Sequence, residues 1–316
     1  MKIFDAVLIV SFGGPQGMDD IRPFLANVLR GRRVNPERVD EVAHHYELFG
    51  GVSPITELTQ QQADGLRDRL AAAGQPLQVY VGMRNWHPYL ADTLRQMHAD
   101  GVRRAVGFIT AAHHSYSSDQ QYRENIDAAR EELRKATGGD IEIAFVGRWF
   151  NHPKFVEANA AHVREAIDRL PADVRDQARI VFTAHSIPMA MAEASKYREE
   201  LMESSRLVAD HVASGFSRKD QDWALVYQSR SGRPGDPWLE PDVCDYLRQA
   251  RADKLAAAVL CPIGFVCDHI EVLYDLDREA ADVAREIGLP MTRAAAVNDD
   301  PLFLDMMADE VLKISR

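Results

Sequence analysis

Eight short aliphatic or β-branched runs recur along the chain with helix-period segments between them, and this alternation restricts the fold more than any single motif does. Strands are predicted at 6–12 (AVLIVSF), 77–83 (LQVYVGM), 104–110 (RAVGFIT) and 141–147 (IEIAFVG). A second set follows at 179–185 (RIVFTAH), 223–229 (WALVYQS), 254–264 (KLAAAVLCPIG) and 291–297 (MTRAAAV). Helices are predicted at 53–74, 88–100, 119–136, 153–170, 188–214, 267–287 and 301–314. In the first of these Ser53 would cap, Pro54 would take the first helical position and Gly74 would mark the stop. The pattern predicts an α/β protein of two similar doubly wound domains, each with a four-stranded parallel sheet flanked by helices. They would cover 1–145 and 146–316, with the last helix free to pack back on the first domain. No Gly/Ser-rich linker separates the halves, so a shared, packed interface with a cleft is expected. The four-plus-four pattern hints at an internal duplication.

Composition excludes several classes of partner. At 316 residues, 46% hydrophobic and 27% charged, the chain can bury a sizeable core. A formal charge of −11 argues against nucleic acid or an anionic membrane surface, since either needs a net basic footprint. The start, MKIFDAVLIVSFGG, lacks a basic n-region and a long apolar core, and no run reaches the roughly 18 apolar residues of a membrane span. Three cysteines, Cys244, Cys261 and Cys267, do not make a disulfide framework. The expected setting is cytoplasmic, without a membrane anchor.

In open parallel sheets ligands bind outside the carboxyl ends of the strands. Those ends here carry Ser11-Phe12-Gly13-Gly14, Arg84-Asn85-Trp86-His87, His113-His114-Ser115-Tyr116, His185-Ser186, Gln228-Ser229-Arg230 and Cys261-Pro262-Ile263-Gly264-Phe265. SFGGP fits neither a dinucleotide fingerprint nor a P-loop; its glycines suit a tight turn or the wall of a flat ligand. Of His113 and His114, adjacent in sequence, one is expected to face a ligand and the other to pack. Arg30, Arg32 and Arg33 suit a carboxylate-bearing ligand, and equally suit a helix end favoured by its dipole.

In CPIGFVCDHIEVLYDLDREAAD, Glu271, Asp275 and Glu279 recur every fourth residue, a helical ridge that drifts only about 40° per step. Val272, Leu276 and Val283 form an apolar stripe beside it. Asp277 reads as part of a solvated acidic face, and so in part does Glu279. Glu271 lies one turn past a strand end, where partial burial would raise its proton affinity. Cys261 and Cys267 lack paired zinc-ligand spacing and read as buried thiols. His185 allows three readings: a structural cap, a partner for Ser186, or a proton acceptor and divalent-metal ligand. No nucleophile elbow supports the second. A histidine from one strand end and a carboxylate from another would make an open site that can hold a metal weakly and release it.

SFGGP, GGVSPI, FTAHSIP, QSR followed by WLEPD, and CPIGFVCDHIEVLYDLD together resemble the ferrochelatases, over nearly the whole chain. The resemblance implies two Rossmann-like, chelatase-type domains around a porphyrin cleft, and a lyase that inserts Fe²⁺, a substrate, into a porphyrin. His185 and Glu271 would be its catalytic and metal-handling residues; Asp275 and Glu279 would match the family's acidic path. The ring must lose two pyrrole protons while the metal sheds water, which calls for a base and carboxylates on one face. Binding the ring puckered would expose a pyrrole lone pair. Phe12, Trp86, Tyr116 and Phe265 could supply apolar walls.

RGRRV, HYELFGGVSPI and SYSSDQQYREN resemble the bacterial branch that uses coproporphyrin III and makes coproheme. Porphyrin contacts are thereby implied at Phe12, Arg30, His45, Tyr46, Ser53, Ser115 and Tyr122. Phe12 stands where some members carry a tyrosine near the metal, and His45 where an arginine is usual. With three cysteines and none after Cys267, no [2Fe-2S] cluster is expected. The expected partners are the porphyrin and a downstream haem-pathway enzyme, for a monomer that binds no nucleic acid. The alternatives are a protoporphyrin IX ferrochelatase, a cobalt chelatase of the corrinoid pathway, and a porphyrin or haem carrier without turnover.

Overall fold

The structure is a computed structural model that describes residues 4–31, 35–215, 221–232 and 235–315. Arg32 and Arg33, singled out above, lie outside the described residues. All eight predicted strands are present: β1 Ala6–Ser11, β2 Gln78–Met83, β3 Arg104–Ile109, β4 Glu142–Phe145, β5 Ala178–His185, β6 Trp223–Gln228, β7 Ala257–Cys261 and β8 Met291–Arg293. They form two parallel four-stranded sheets, β2-β1-β3-β4 and β6-β5-β7-β8. The second order repeats the first strand for strand, so the two sheets share one winding. In each, the chain leaves the first strand for one side and returns to the other. The crevice that such a reversal opens lies beyond the carboxyl ends of β1 and β3 in one sheet, and of β5 and β7 in the other.

Contacts divide the chain into two compact units: Met1–Thr110 with Asp119–Gly147 and Leu304–Arg316, and Ala111–Ser118 with Arg148–Phe303. Among the described residues no helix is long and apolar enough to cross a membrane.

The ends of the elements have local causes. β7 is shorter than predicted because Lys254 turns the chain at φ 70° and Pro262 has no N–H to extend the ladder. β8 ends at Arg293, after which the Ala296 amide turns to Asp268 instead of a neighbouring strand. The helix predicted from Ser53 begins at Ile55, and Pro54 occupies its cap position without a side-chain bond. Ser53 does not cap: its N–H donates to the Pro15 carbonyl at 2.9 Å, which ties it to the loop after β1. Gly14 makes that approach possible, since a Cβ there would stand 2.5 Å from Ser53 Cβ. The helix predicted at 188–214 is two, Met189–Glu193 and Tyr197–Gly215. Three further helices, Ile21–Val28, Pro36–Glu47 and Val243–Ala252, complete the description near the sites of interest.

The core of the second unit fixes the segment that carries the acidic ridge. Val272, Leu276 and Val283 are buried with Val181, Val226, Leu247 and Leu260. Each such side chain contributes about 1.5–3 kcal/mol by leaving water. Because Val272 and Leu276 must face the sheet, the intervening rotation of Glu271 and Asp275 is set by packing. Leu276→Ala should cost about 2–5 kcal/mol of stability. Urea unfolding followed by circular dichroism measures it; a loss below about 0.5 kcal/mol, the range of surface substitutions, would mean Leu276 is not part of the core.

Candidate active site

His185 ends β5, the strand at the reversal of the second sheet. Its register partner on β6 is Gln228, whose carbonyl accepts the Ser186 N–H at 2.8 Å. Tyr197 O–H donates to the His185 carbonyl at 3.1 Å. The ring itself is oriented by a local bond, with Nδ1 2.6 Å from the Ser186 carbonyl oxygen. A carbonyl can only accept, so the neutral ring carries its proton on Nδ1 and leaves Nε2 as a bare lone pair. That lone pair faces Glu271, with Oε2 at 3.9 Å. The gap is too long for a hydrogen bond. It leaves two donors side by side, one nitrogen and one oxygen, at the carboxyl edge of the sheet.

His185 therefore does not cap the following helix, and Ser186 is no nucleophile. The Ser186 hydroxyl is buried and donates to the Leu239 carbonyl at 2.8 Å. Gly264 lets the chain leaving β7 cross beside the end of β5: its N–H donates to the Thr183 carbonyl at 3.0 Å, and a Cβ would meet Ala184 Cβ at 2.5 Å.

Glu271 lies in the short helix Ile270–Tyr274, whose cap is His269. His269 Nδ1 accepts the Glu271 N–H at 3.2 Å, so its proton sits on Nε2, the reverse of His185. Burial lowers the proton affinity of His269, which keeps the capping nitrogen free to accept. The predicted continuous helix at 267–287 is thus in three parts: Ile270–Tyr274, a π-helical turn at Asp275–Ala280, and Ala281–Glu286. A π turn bonds i to i+5 and rotates less per residue than an α-helix. The ridge drift expected from α-geometry is therefore counteracted between Asp275 and Glu279.

The sequence places partial burial on Glu271; the structure places the deep burial on Asp275. The Glu271 side chain is 38% exposed, whereas Asp275 is 9% exposed. Asp275 Oδ2 accepts from Ser229 Oγ and from Gln228 Nε2, the latter at 3.2 Å and shared with the Glu271 carbonyl at 3.2 Å. Burial pushes its carboxyl up to about 7, helped by the charges of Glu271 and Glu279 and opposed by the bonds from Ser229 and Gln228. Ser229 holds its position at φ 59°, a left-handed conformation that a residue with a Cβ adopts at some cost. Glu279 is exposed, and so is Asp277, which is ion-paired to Arg293.

His113 is buried and hydrogen-bonded to Ser204 Oγ at 2.9 Å, and burial pushes its pKa down to about 3. His114 meets buried Glu200 through both its N–H, at 2.7 Å, and Nδ1, at 3.0 Å. Both histidines have protein partners. Cys261 and Cys267 are buried thiols. Among the described residues no three His, Cys, Asp or Glu side chains gather as a metal cage.

Of the residues implied to touch a porphyrin, Phe12, Arg30, His45, Tyr46, Ser53 and Tyr122 lie in the first unit and Ser115 in the second. Phe12 and Tyr46 both meet Phe24 edge-on, at 6.2 and 5.6 Å between ring centres. Trp86 joins them through Phe24 at 6.3 Å. Arg30 is exposed past the helix Ile21–Val28, with Nη2 on Asn27 Oδ1 at 2.7 Å. His45 is half-buried, and burial lowers its proton affinity. Tyr46, Ser53, Ser115 and Tyr122 are buried. Ser115 Oγ is engaged by Ser117 and Ser118 at 3.1 and 3.0 Å, and Arg84 covers the Tyr122 ring at 5.3 Å. Of the suggested walls, Trp86 and Phe265 are buried and Tyr116 is exposed.

The ferrochelatase family model matches residues 4–314. The chain belongs to the ferrochelatase family. A ferrochelatase of Rhodopirellula baltica is 50% identical over 305 residues, covering 96% of this chain and 84% of its own. A coproporphyrin III ferrochelatase of Streptomyces coelicolor is 48% identical over 320 residues, covering 98% and 85%. The sirohydrochlorin chelatase SirB of Bacillus subtilis subspecies spizizenii, in complex with cobalt, aligns with a TM-score of 0.57 at 10% identity, covering 100% of this chain and 96% of that one. At that identity the likeness concerns the fold, two chelatase domains of Rossmann type. As a ferrochelatase the chain acts on ferrous iron and a porphyrin in haem biosynthesis, with iron as substrate.

Reasoning from the sequence missed the supports: His269 as the cap of Glu271, Tyr197 behind His185, and Gln228 and Ser229 on Asp275. A histidine two residues before the predicted ridge was a legible capping signal; the other three depend on tertiary pairing.

Asp275 also makes stability depend on pH. Its folded pKa, about 7, lies above the carboxylate value of 3.8, so the folded state holds the proton more tightly between them. Its contribution is complete below pH ~4 and lost as pH rises through ~7, at up to about 1.4 kcal/mol per unit. Asp275→Asn should flatten that slope and make the variant relatively more stable at pH 8 than at pH 4. Urea unfolding at the two pH values measures the difference, and an unchanged slope contradicts the assignment.

Proposed function

We propose that this ferrochelatase is a cytoplasmic lyase that inserts Fe²⁺ into coproporphyrin III, with His185 and Glu271 as its reacting pair. The observation that carries the reading is the bare Nε2 of His185 facing the Glu271 carboxylate across 3.9 Å at the reversal of the second sheet. Relatives named coproporphyrin III ferrochelatases, 44–48% identical over nearly the full chain, support the choice of ring.

Insertion releases two pyrrole protons for each divalent ion taken up, and the ion exchanges water for four ring nitrogens. His185 Nε2 is free to accept one proton, because Nδ1 already carries one and is held on Ser186. Glu271 accepts the other, or first holds the iron through an oxygen. Two donors of different type do not saturate Fe²⁺, so the ion can leave for the ring. Asp275, with its carboxyl near 7, can take a proton from the site and release it towards exposed Glu279 around neutral pH. Arg30 is exposed and suited to a propionate, and Phe12 to the face of the ring. Tyr46, Ser53, Ser115 and Tyr122 are buried, and the hydroxyl of each is a group that could meet a propionate.

Anaerobic metallation of coproporphyrin III and protoporphyrin IX, followed by absorbance, tests the reading. Faster turnover of the tetracarboxylate ring is expected, and equal rates would sink the choice of ring. His185→Ala should lower metallation at least about 100-fold, within the usual contribution of a positioned acid or base. Glu271→Gln should do the same while porphyrin binding, read by fluorescence quenching, stays within about threefold. Unchanged metallation by His185→Ala would remove His185 from the reacting pair, and a wild type that binds the ring without metallating it above background would favour a porphyrin carrier.

A further inference from the structure

Arg293 closes β8, and its guanidinium holds two carboxylates that flank the Glu271 turn. Nη1 donates to Asp268 Oδ1 at 2.8 Å, just before that turn. Nε and Nη2 donate to Asp277 Oδ1 and Oδ2 at 2.6 and 2.8 Å, in the π-helical turn after it. The Arg293 side chain is 15% exposed and Asp268 16%, so that pair is largely shielded from water, while the bidentate pair with Asp277 lies at the surface. Asp268 is anchored further: Ala296 N–H and Asn298 Nδ2 donate to it at 3.2 and 2.9 Å, and its own N–H donates to Asn298 Oδ1 at 2.8 Å.

The segment needs such a brace. Ile270–Tyr274 is a helix of five residues, too short to hold its shape alone, and the π turn that follows departs from the α ladder. Val272 and Leu276, buried in the core, fix how the segment is rotated. A planar guanidinium bonded before and after Glu271 further restrains how far it slides along its axis, and ties the segment to the sheet through β8, which pairs with β7, the neighbour of β5.

We infer that Arg293 is a positioning residue for metal insertion: by bridging Asp268 and Asp277 it sets the distance between the Glu271 carboxylate and His185 Nε2. The inference rests on His185 and Glu271 being the reacting pair. Arg293 touches neither of them, and its effect is on kcat. A displacement of about 1 Å in a reacting group lowers rate by up to about 100-fold. Lysine cannot replace it, because an ammonium lacks the planar fork that spans two carboxylates.

The test is steady-state metallation of coproporphyrin III with Fe²⁺ by the wild type, Arg293→Lys, Arg293→Met and Asp277→Asn. Arg179→Met serves as control: it breaks another ion pair of the same unit, Arg179–Asp222 at 2.7 Å, at the opposite end of β5. Both Arg293 variants should lose about 10- to 100-fold in kcat with KM for the porphyrin within about twofold. Asp277→Asn should lose several-fold in kcat, and Arg179→Met should keep kcat. Folded Arg293 variants with wild-type kcat would overturn the inference, as would full rescue by Arg293→Lys or an equal loss in Arg179→Met. Should Arg293→Met not fold, Asp277→Asn decides, and an unaltered kcat there overturns it too. A wild type that does not metallate any porphyrin removes the reading beneath; a turning-over wild type matched by its Arg293 variants removes this inference alone.

Discussion

His185 Nδ1 donates to the carbonyl of its own neighbour, Ser186, at 2.6 Å, and the rest of the site depends on where that leaves the other nitrogen. With the proton held on Nδ1, Nε2 is an acceptor directed at Glu271. The carbonyl that holds it is fixed in turn. Ser186 is pinned at both ends, its N–H on the Gln228 carbonyl and its hydroxyl on the Leu239 carbonyl. One short backbone bond thus leaves an oriented acceptor nitrogen at the strand end.

Opposite it, polar and apolar forces divide the labour. Burial of Val272 and Leu276 turns the helical segment, His269 caps its first turn at Glu271, and Arg293 holds carboxylates on either side. The same burial puts Asp275 out of water, where Ser229 and Gln228 compensate it only in part and its carboxyl rises to about 7. The two carboxylates nearest His185 along the ridge therefore differ in kind. Glu271 is accessible to an ion, and Asp275 is a buried group able to exchange a proton near neutral pH. The π turn keeps Glu279 on the same ridge and exposes it to solvent.

Much of this was legible in the sequence. Strand positions were, because short aliphatic or β-branched runs separated by helical periods leave few alternatives to parallel sheets. His185 and Glu271 were, since one ends a strand and the other opens an amphipathic helix beside a buried stripe. What stayed hidden depends on contacts between segments distant in the chain. Ser53 looks like a cap until Pro15 claims its amide. Glu271 is partly buried, as it looks, but nothing in the sequence shows Gln228 and Ser229, more than forty positions away, enclosing Asp275 more deeply. Asp277 is solvated surface, as it looks, but its pairing with Arg293 could not be read. The capped helices Pro36–Glu47 and Val243–Ala252 carried ordinary signals in Asn35 and Asp242 and could have been read. Helical periodicity could not reveal a π turn, because it presumes the α repeat.

The chemistry of the His185–Glu271 pair turns on the tautomer of His185. Long-range ¹H–¹⁵N correlation on protein labelled at its 11 histidines reads it, with His185→Gln assigning the signal. A proton on Nδ1 and a bare Nε2 are expected, with a shift of Nε2 when Zn²⁺ is added as a diamagnetic stand-in for iron. A proton on Nε2 of the neutral ring, or a Zn²⁺ response at Nδ1, would contradict this.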